Sequence, residues 1–316
     1  MTDLAQTQIR HATPTPALSY GPLTLPAPGR LTPLEVQVSA PATGDHLPVL
    51  LLSHGHGPSN HLSSRHGYGP LASWYAARGF VVVQPTHLDA KMLPYRASDH
   101  ADAPLFWRSR AEDMSRILDA LDVVEGAVPG LAGRVDRGRV GVVGHSMGGH
   151  TASVLLGARH VGEDGAAVSV ADPRIRAGVI LAGPGRGDAL SAYAAAHYPF
   201  FRTIDFGTMT TPALVVAGDD DPSPHLTTAG SAWHADPYAL APAPKALLTV
   251  FGAGHGLGGV SGWDAAETTD EDPARVAFVA RMSWAFLRSA LDPADRAWDE
   301  ARREVEGSGL GRVETK

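Results

Sequence analysis

The sequence predicts an α/β fold with a mostly parallel central sheet flanked by helices. Short apolar runs rich in Val and Leu recur at 49–53, 80–84, 140–144, 178–182, 213–217 and 246–251. Most are bounded by Gly or Pro, as expected of strands covered on both faces. Between several of them lie stretches with apolar residues at three-and-four spacing, the mark of amphipathic helices. Strand–helix alternation of this kind implies parallel strands joined by right-handed crossovers.

The elements follow in order. Residues 11–33 hold six prolines and little periodicity, so 1–33 reads as an extended N-terminal arm leading into a first strand at 34–39. A helix is expected at 70–78, ending at Gly79, a residue suited to a left-handed C-terminal cap. Another is expected at 109–125, with Met114, Ile117, Leu118, Leu121 and Val124 on one face. A third follows Ser146. The last starts after Asp272-Pro273, an N-cap and a first-turn proline, and carries the stripe Val276, Val279, Met282, Phe286 and Leu287. Segment 183–211 fits neither a strand nor one long helix and holds Tyr193, Tyr198, Phe200, Phe201 and Phe206. It reads either as a lid-like insertion or as a packed surface excursion. Residues 34–292 form the main domain, and 293–316 a charged extension with a flexible end at 307–316.

At 316 residues the chain can bury a large core, and 44% apolar with 19% charged residues is ordinary for a globular protein,. A net charge of −7 gives no basic face for nucleic acid,. The absence of cysteine excludes disulfides, thiolate zinc sites and a cysteine nucleophile,. No window is apolar enough to span a membrane, and residues 1–10 lack the apolar core of a secretory signal. The expected compartment is the cytoplasm, although a secreted form trimmed of its signal has the same composition.

The strongest local signal is Gly144-His145-Ser146-Met147-Gly148, directly after an apolar strand and before a helix-compatible run. In G-x-S-x-G the serine occupies a tight strand-to-helix turn, and the glycines let strand and helix approach. A serine hydroxyl needs a base within hydrogen-bond reach. Strand 213–217 runs into Asp219-Asp220-Asp221, and strand 246–251 into Gly252-Ala253-Gly254-His255. Spacing favours Asp221 as the acid, with Asp219 and Asp220 as alternatives, and His255 as the base. Strand 49–53 ends at His54-Gly55-His56-Gly57, from which the backbone N–H of His56, with that of Met147, would form an oxyanion hole.

Other candidates are weaker. His54, His56, His61 and His66 crowd one region but match no zinc spacing, so no metal is expected; they are expected to bond loop backbone or line a pocket mouth. Arg110 and Asp113, three apart on a helix, read as a surface pair. Asp89 reads as a turn cap or as a hydrogen-bonding group near the site. Phe106, Trp107 and Trp233 are candidates for a substrate pocket, or are core.

Taken together, His54-Gly55, the Gly144–Gly149 turn, Gly218-x-x-Asp221 and Gly254-His255 resemble the α/β-hydrolase superfamily over roughly residues 34–290. Arg78 to Asp89, followed by Arg110-x-x-Asp113, resembles more loosely the branch of chlorophyllase-like, platelet-activating-factor-acetylhydrolase-like and predicted dienelactone-hydrolase-like serine esterases. The resemblance implies an α/β-hydrolase fold with a lid-like insertion before the acid-bearing strand, a Ser146–His255–Asp221 triad, and hydrolysis of a small-molecule carboxylic ester without a cofactor. It also supports Asp221 as the acid. True dienelactone hydrolases use a cysteine, so their activity does not carry over. A lactone, amide, peroxide or carbon–carbon bond is the alternative target, and a non-catalytic binding protein on the same scaffold the third reading.

Overall fold

The computed structural model describes residues 14–162, 164–262 and 269–316. The chain enters through β1 (Ala17–Leu25), β2 (Leu34–Pro41) and β3 (Leu47–Ser53). Helix α1 (Gly69–Ala76) leads to β4 (Val81–Pro85), followed by α2 (Trp107–Asp119) and α3 (Leu121–Ala127). Then come β5 (Val135–His145) and α4 (Met147–Leu155). Strands β6 (Arg159–Val161) and β7 (Ala167–Val168) precede β8 (Ile175–Leu181), α5 (Ala192–His197) and β9 (Ile204–Asp205). The chain finishes with β10 (Ala213–Gly218), α6 (Asp236–Leu240), β11 (Lys245–Val250), α7 (Pro273–Leu291), α8 (Ala297–Val305) and β12 (Gly311–Thr315).

Nine strands form the main sheet in the order β1-β2-β4-β3-β5-β8-β10-β11-β12. The six from β4 to β11 are parallel, and antiparallel strands close both margins. Alternation explains how both faces are buried: Val49 and Leu51 of β3 join one core cluster, Leu50 and Leu52 the other,. Helices α2, α3 and α4 cover the first face, α1 and α7 the second. β6, β7 and β9 form a small separate sheet. The N-terminus of α7 is held as its sequence predicts, with the Asp272 carboxylate accepting from the N–H groups of Ala274 and Arg275,. No described helix is long and apolar enough to cross a membrane.

Three elements differ from expectation. Residues 17–25 are a paired strand rather than a loose arm; β1 is a margin strand, where prolines are tolerated because one side of the ladder is open,. The end of the chain is also fixed, since β12 pairs with β11 and α8 packs on α7. The helix expected at 109–125 breaks at Ala120, whose φ of −107° and ψ of 22° leave the helical region,. Segment 183–211 is a folded excursion of short helical turns, with Phe206 in the main core and Phe201 buried. The distinctive stretch at 263–268 lies outside the described residues.

Candidate active site

Parallel strands deliver their C-terminal ends to one margin of the sheet, where ligand sites of open α/β sheets collect. Four of these ends matter here: Ser53 of β3, His145 of β5, Gly218 of β10 and Val250 of β11. Between β5 and α4, Ser146 adopts φ 56° and ψ −119°, a strained conformation for a residue with a side chain,. The turn closes because a Cβ at Gly144 would collide with the Gly148 carbonyl oxygen, and one at Gly148 with that of Ser53. Only glycine fits at either point.

The three side chains expected to meet do meet. His255 Nε2 lies 2.9 Å from Ser146 Oγ, and His255 Nδ1 lies 2.8 Å from Asp221 Oδ2. Asp221 is buried, and its other oxygen accepts from Ser223 Oγ at 2.6 Å. Burial alone would raise its pKa. Hydrogen bonds from His234 and His255, with the charges of both, outweigh burial and hold the carboxyl well below the usual range,. An ionised Asp221 only accepts, so Nδ1 of His255 carries the proton and Nε2 is left to accept from the Ser146 hydroxyl. Asp219 instead takes the N–H of Gly252 at 2.6 Å, and Asp220 is exposed.

Residues unsuspected from sequence hold this line in place. His234 is fully buried, with Nε2 3.0 Å from Asp221 Oδ2 and Nδ1 3.0 Å from the Gly183 carbonyl. Asp270 accepts from the N–H groups of Gly254 and Gly258 at 2.7 and 3.0 Å, fixing the turns around His255. A chain of hydrogen bonds joins three loops: Gly55 N–H donates to Tyr68 Oη (3.0 Å), Tyr68 O–H to His145 Nδ1 (2.8 Å), and His145 Nε2–H to the His255 carbonyl (2.7 Å). Burial, aided by the charge of His255, lowers the pKa of His145 to about 3, so it serves as a neutral donor and acceptor.

The loop after β3 rests on a buried ion pair. Arg110 grips both oxygens of Asp89, at 2.8 and 2.7 Å, and donates to the His54 carbonyl at 2.8 Å. Asp89 Oδ2 also lies 2.7 Å from His56 Nδ1. Arg96 donates to the carbonyls of Asp89, His56 and Gly57. Arg110 and Asp113 are therefore not a surface pair: both are fully buried, and Asp113 bonds Arg30 and His87. Three-residue spacing places them on one helix face, and that face is turned inward.

A cavity of about 300 Å³ opens beside Ser146, lined by Met147, His56, Leu105, Tyr198, Phe201 and Leu226 among others. Tyr198 and Phe201 come from the aromatic excursion. Met147 is the first residue of α4, so its N–H has no intrahelical acceptor, and no described group accepts from the N–H of His56,. Phe106, Trp107 and Trp233 do not line this cavity. Phe106 is buried against Tyr95 and His100, Trp107 packs on the ring of His160 behind the wall, and Trp233 Nε1 donates to the Arg186 carbonyl.

Among the described residues, Asp221, His234 and His255 bring metal-capable atoms within 4.8 Å of one another; the hydrogen bonds given above already account for that spacing. His54, His56, His61 and His66 form no such group there. His54 bonds the Gly55 carbonyl and the His87 N–H, while His61 and His66 are exposed. Neither a protein-family model nor a curated protein matches the chain at a significant level.

Proposed function

We propose that this chain is a serine carboxylic-ester hydrolase of the α/β-hydrolase type, with Ser146, His255 and Asp221 as its triad. The observation that carries the reading is the single imidazole bridging a strained serine and a buried carboxylate at 2.9 and 2.8 Å. Ser146 Oγ attacks the ester carbon while His255 Nε2 takes its proton, and Asp221 stabilises the imidazolium that forms. Negative charge on the former carbonyl oxygen meets the N–H groups of His56 and Met147. His255 then protonates the departing alcohol and activates the water that hydrolyses the acyl-enzyme. A cavity of about 300 Å³ suits a small-molecule ester,.

Ser146→Ala is expected to lower kcat on p-nitrophenyl butyrate by about 10⁴–10⁶-fold. A fluorophosphonate probe is expected to add to Ser146, read by intact mass and peptide mapping. Wild-type-like turnover by the variant, or failure of the folded protein to react, would overturn the reading.

A further inference from the structure

His56, which lines the cavity, belongs to a second Asp–His pair. His56 Nδ1 lies 2.7 Å from Asp89 Oδ2, much as His255 Nδ1 lies 2.8 Å from Asp221. The Asp89 side chain is fully buried and gripped by Arg110. Burial would favour its neutral form, but the Arg110 charge and the His56 hydrogen bond outweigh it, so the carboxyl stays ionised. An ionised carboxylate only accepts, which assigns the His56 proton to Nδ1. Burial also lowers the pKa of His56, keeping the ring neutral. Nε2 therefore presents a bare lone pair.

That lone pair faces open space. No described group bonds to Nε2, yet Nε2 is not among the buried atoms without a partner, and 27% of the side chain is exposed. The Asp89 side of the ring meets a fully buried carboxylate, and His56 lines the same cavity as Ser146 and His255. We propose that His56 Nε2 is an acceptor subsite for a hydroxyl on the substrate, so that the preferred substrates are hydroxylated esters. This rests on the esterase reading above. The backbone N–H of His56 is the one assigned to the carbonyl oxygen, and its ring lies only a few bonds away. The recognised hydroxyl is therefore sought close to the ester group, about two or three atoms away. It can belong to the acyl chain or to the alcohol, and the chemistry of recognition is the same.

The test compares hydroxyl with fluorine, which keeps the inductive pull and the small size but donates nothing. One arm measures kcat/KM for ethyl 3-hydroxybutyrate, both enantiomers, against ethyl 3-fluorobutyrate. The other compares 2-hydroxyethyl butyrate with 2-fluoroethyl butyrate. Wild type is expected to favour the hydroxyl about tenfold in one arm, the scale of one hydrogen bond, and that arm identifies the source. In His56→Phe, which keeps a ring but no acceptor, the ratio is expected to fall to within twofold of one. Equal rates in both wild-type arms overturn the subsite even if the variant does not fold. So does a preference that survives in His56→Phe. Because plain ethyl butyrate turnover and Ser146 labelling are read in parallel, loss of the subsite is distinguishable from loss of the esterase reading.

Discussion

The pairs His255–Asp221 and His56–Asp89 both place their histidine on one cavity with nearly one Asp–His distance, yet on the proposed reading their surroundings suit them to opposite tasks. Asp221 is held by hydrogen bonds from Ser223, His234 and His255, and among the described residues no guanidinium is bonded to it. Under the proposed mechanism its charge is the one that stabilises the imidazolium as it forms. Asp89 is clamped by the permanent cation of Arg110. The charges of Arg96 and Arg110 add to burial in lowering the basicity of His56. A carboxylate beside an imidazole therefore does not by itself make a base; what else the carboxylate binds decides whether the ring can take a proton or only offer a lone pair.

Separate removal of the two carboxylates should expose that difference. Asp221→Asn is expected to leave the fold intact and lower kcat on p-nitrophenyl butyrate by about 10⁴-fold, because an amide facing Nδ1 favours the wrong tautomer of His255. A fall of less than tenfold would break the comparison. Asp89→Asn strands the buried Arg110 and is expected to destabilise the protein by about 3–5 kcal/mol, read by urea denaturation. The fraction that remains folded should be far more active than Asp221→Asn. An unchanged urea midpoint would show that the clamp does not support the loop.

An effect smaller per residue separates these carboxylates from the buried imidazoles of the molecule. Burial holds His145 at about 3 and His160 at about 4, against an ordinary value near 6.5,. Between those limits the unfolded chain binds protons that the folded chain does not, so stability falls as pH drops below about 6.5. Each group is expected to remove about 2 kcal/mol between pH 7 and pH 5, and His54 and His150, also lowered by burial, act in the same direction. The depressed carboxylates contribute only below about pH 4, where carboxyls of the unfolded chain take up protons. Equal urea midpoints at pH 7 and pH 5 would contradict this assignment.

Much of the frame was legible because parallel strands buried on both faces leave short Val- and Leu-rich runs, and because Ser146, Asp221 and His255 each follow such a run in a turn. The margin strands were not. β1 and β12 pair on one side only, so neither needs a continuous apolar run, and prolines or alternating charges such as Arg312 and Glu314 do not disqualify them. Helical spacing placed Arg110 and Asp113 together but could not say that their face turns inward. Tyr68 and His234 act through contacts across 77 and 13 residues of chain, to His145 and Asp221, and no local pattern carries that information. The choice between pocket and core for the aromatics was not legible for a related reason: Trp233 and Trp107 are spent on packing, as the core alternative has it, and the wall is made by Tyr198 and Phe201, from a segment with no regular period.

The Tyr68–His145 link sets limits on redesign. One phenol and one imidazole couple the β3 loop, the serine turn and the histidine loop, so a displacement of any of them is passed to the other two, and alignment of the reacting atoms drifts as a unit. Substitutions meant to change which molecules fit belong instead at Tyr198, Phe201 or Leu226, whose backbones hang from other segments and can be reshaped while the tied loops stay in register.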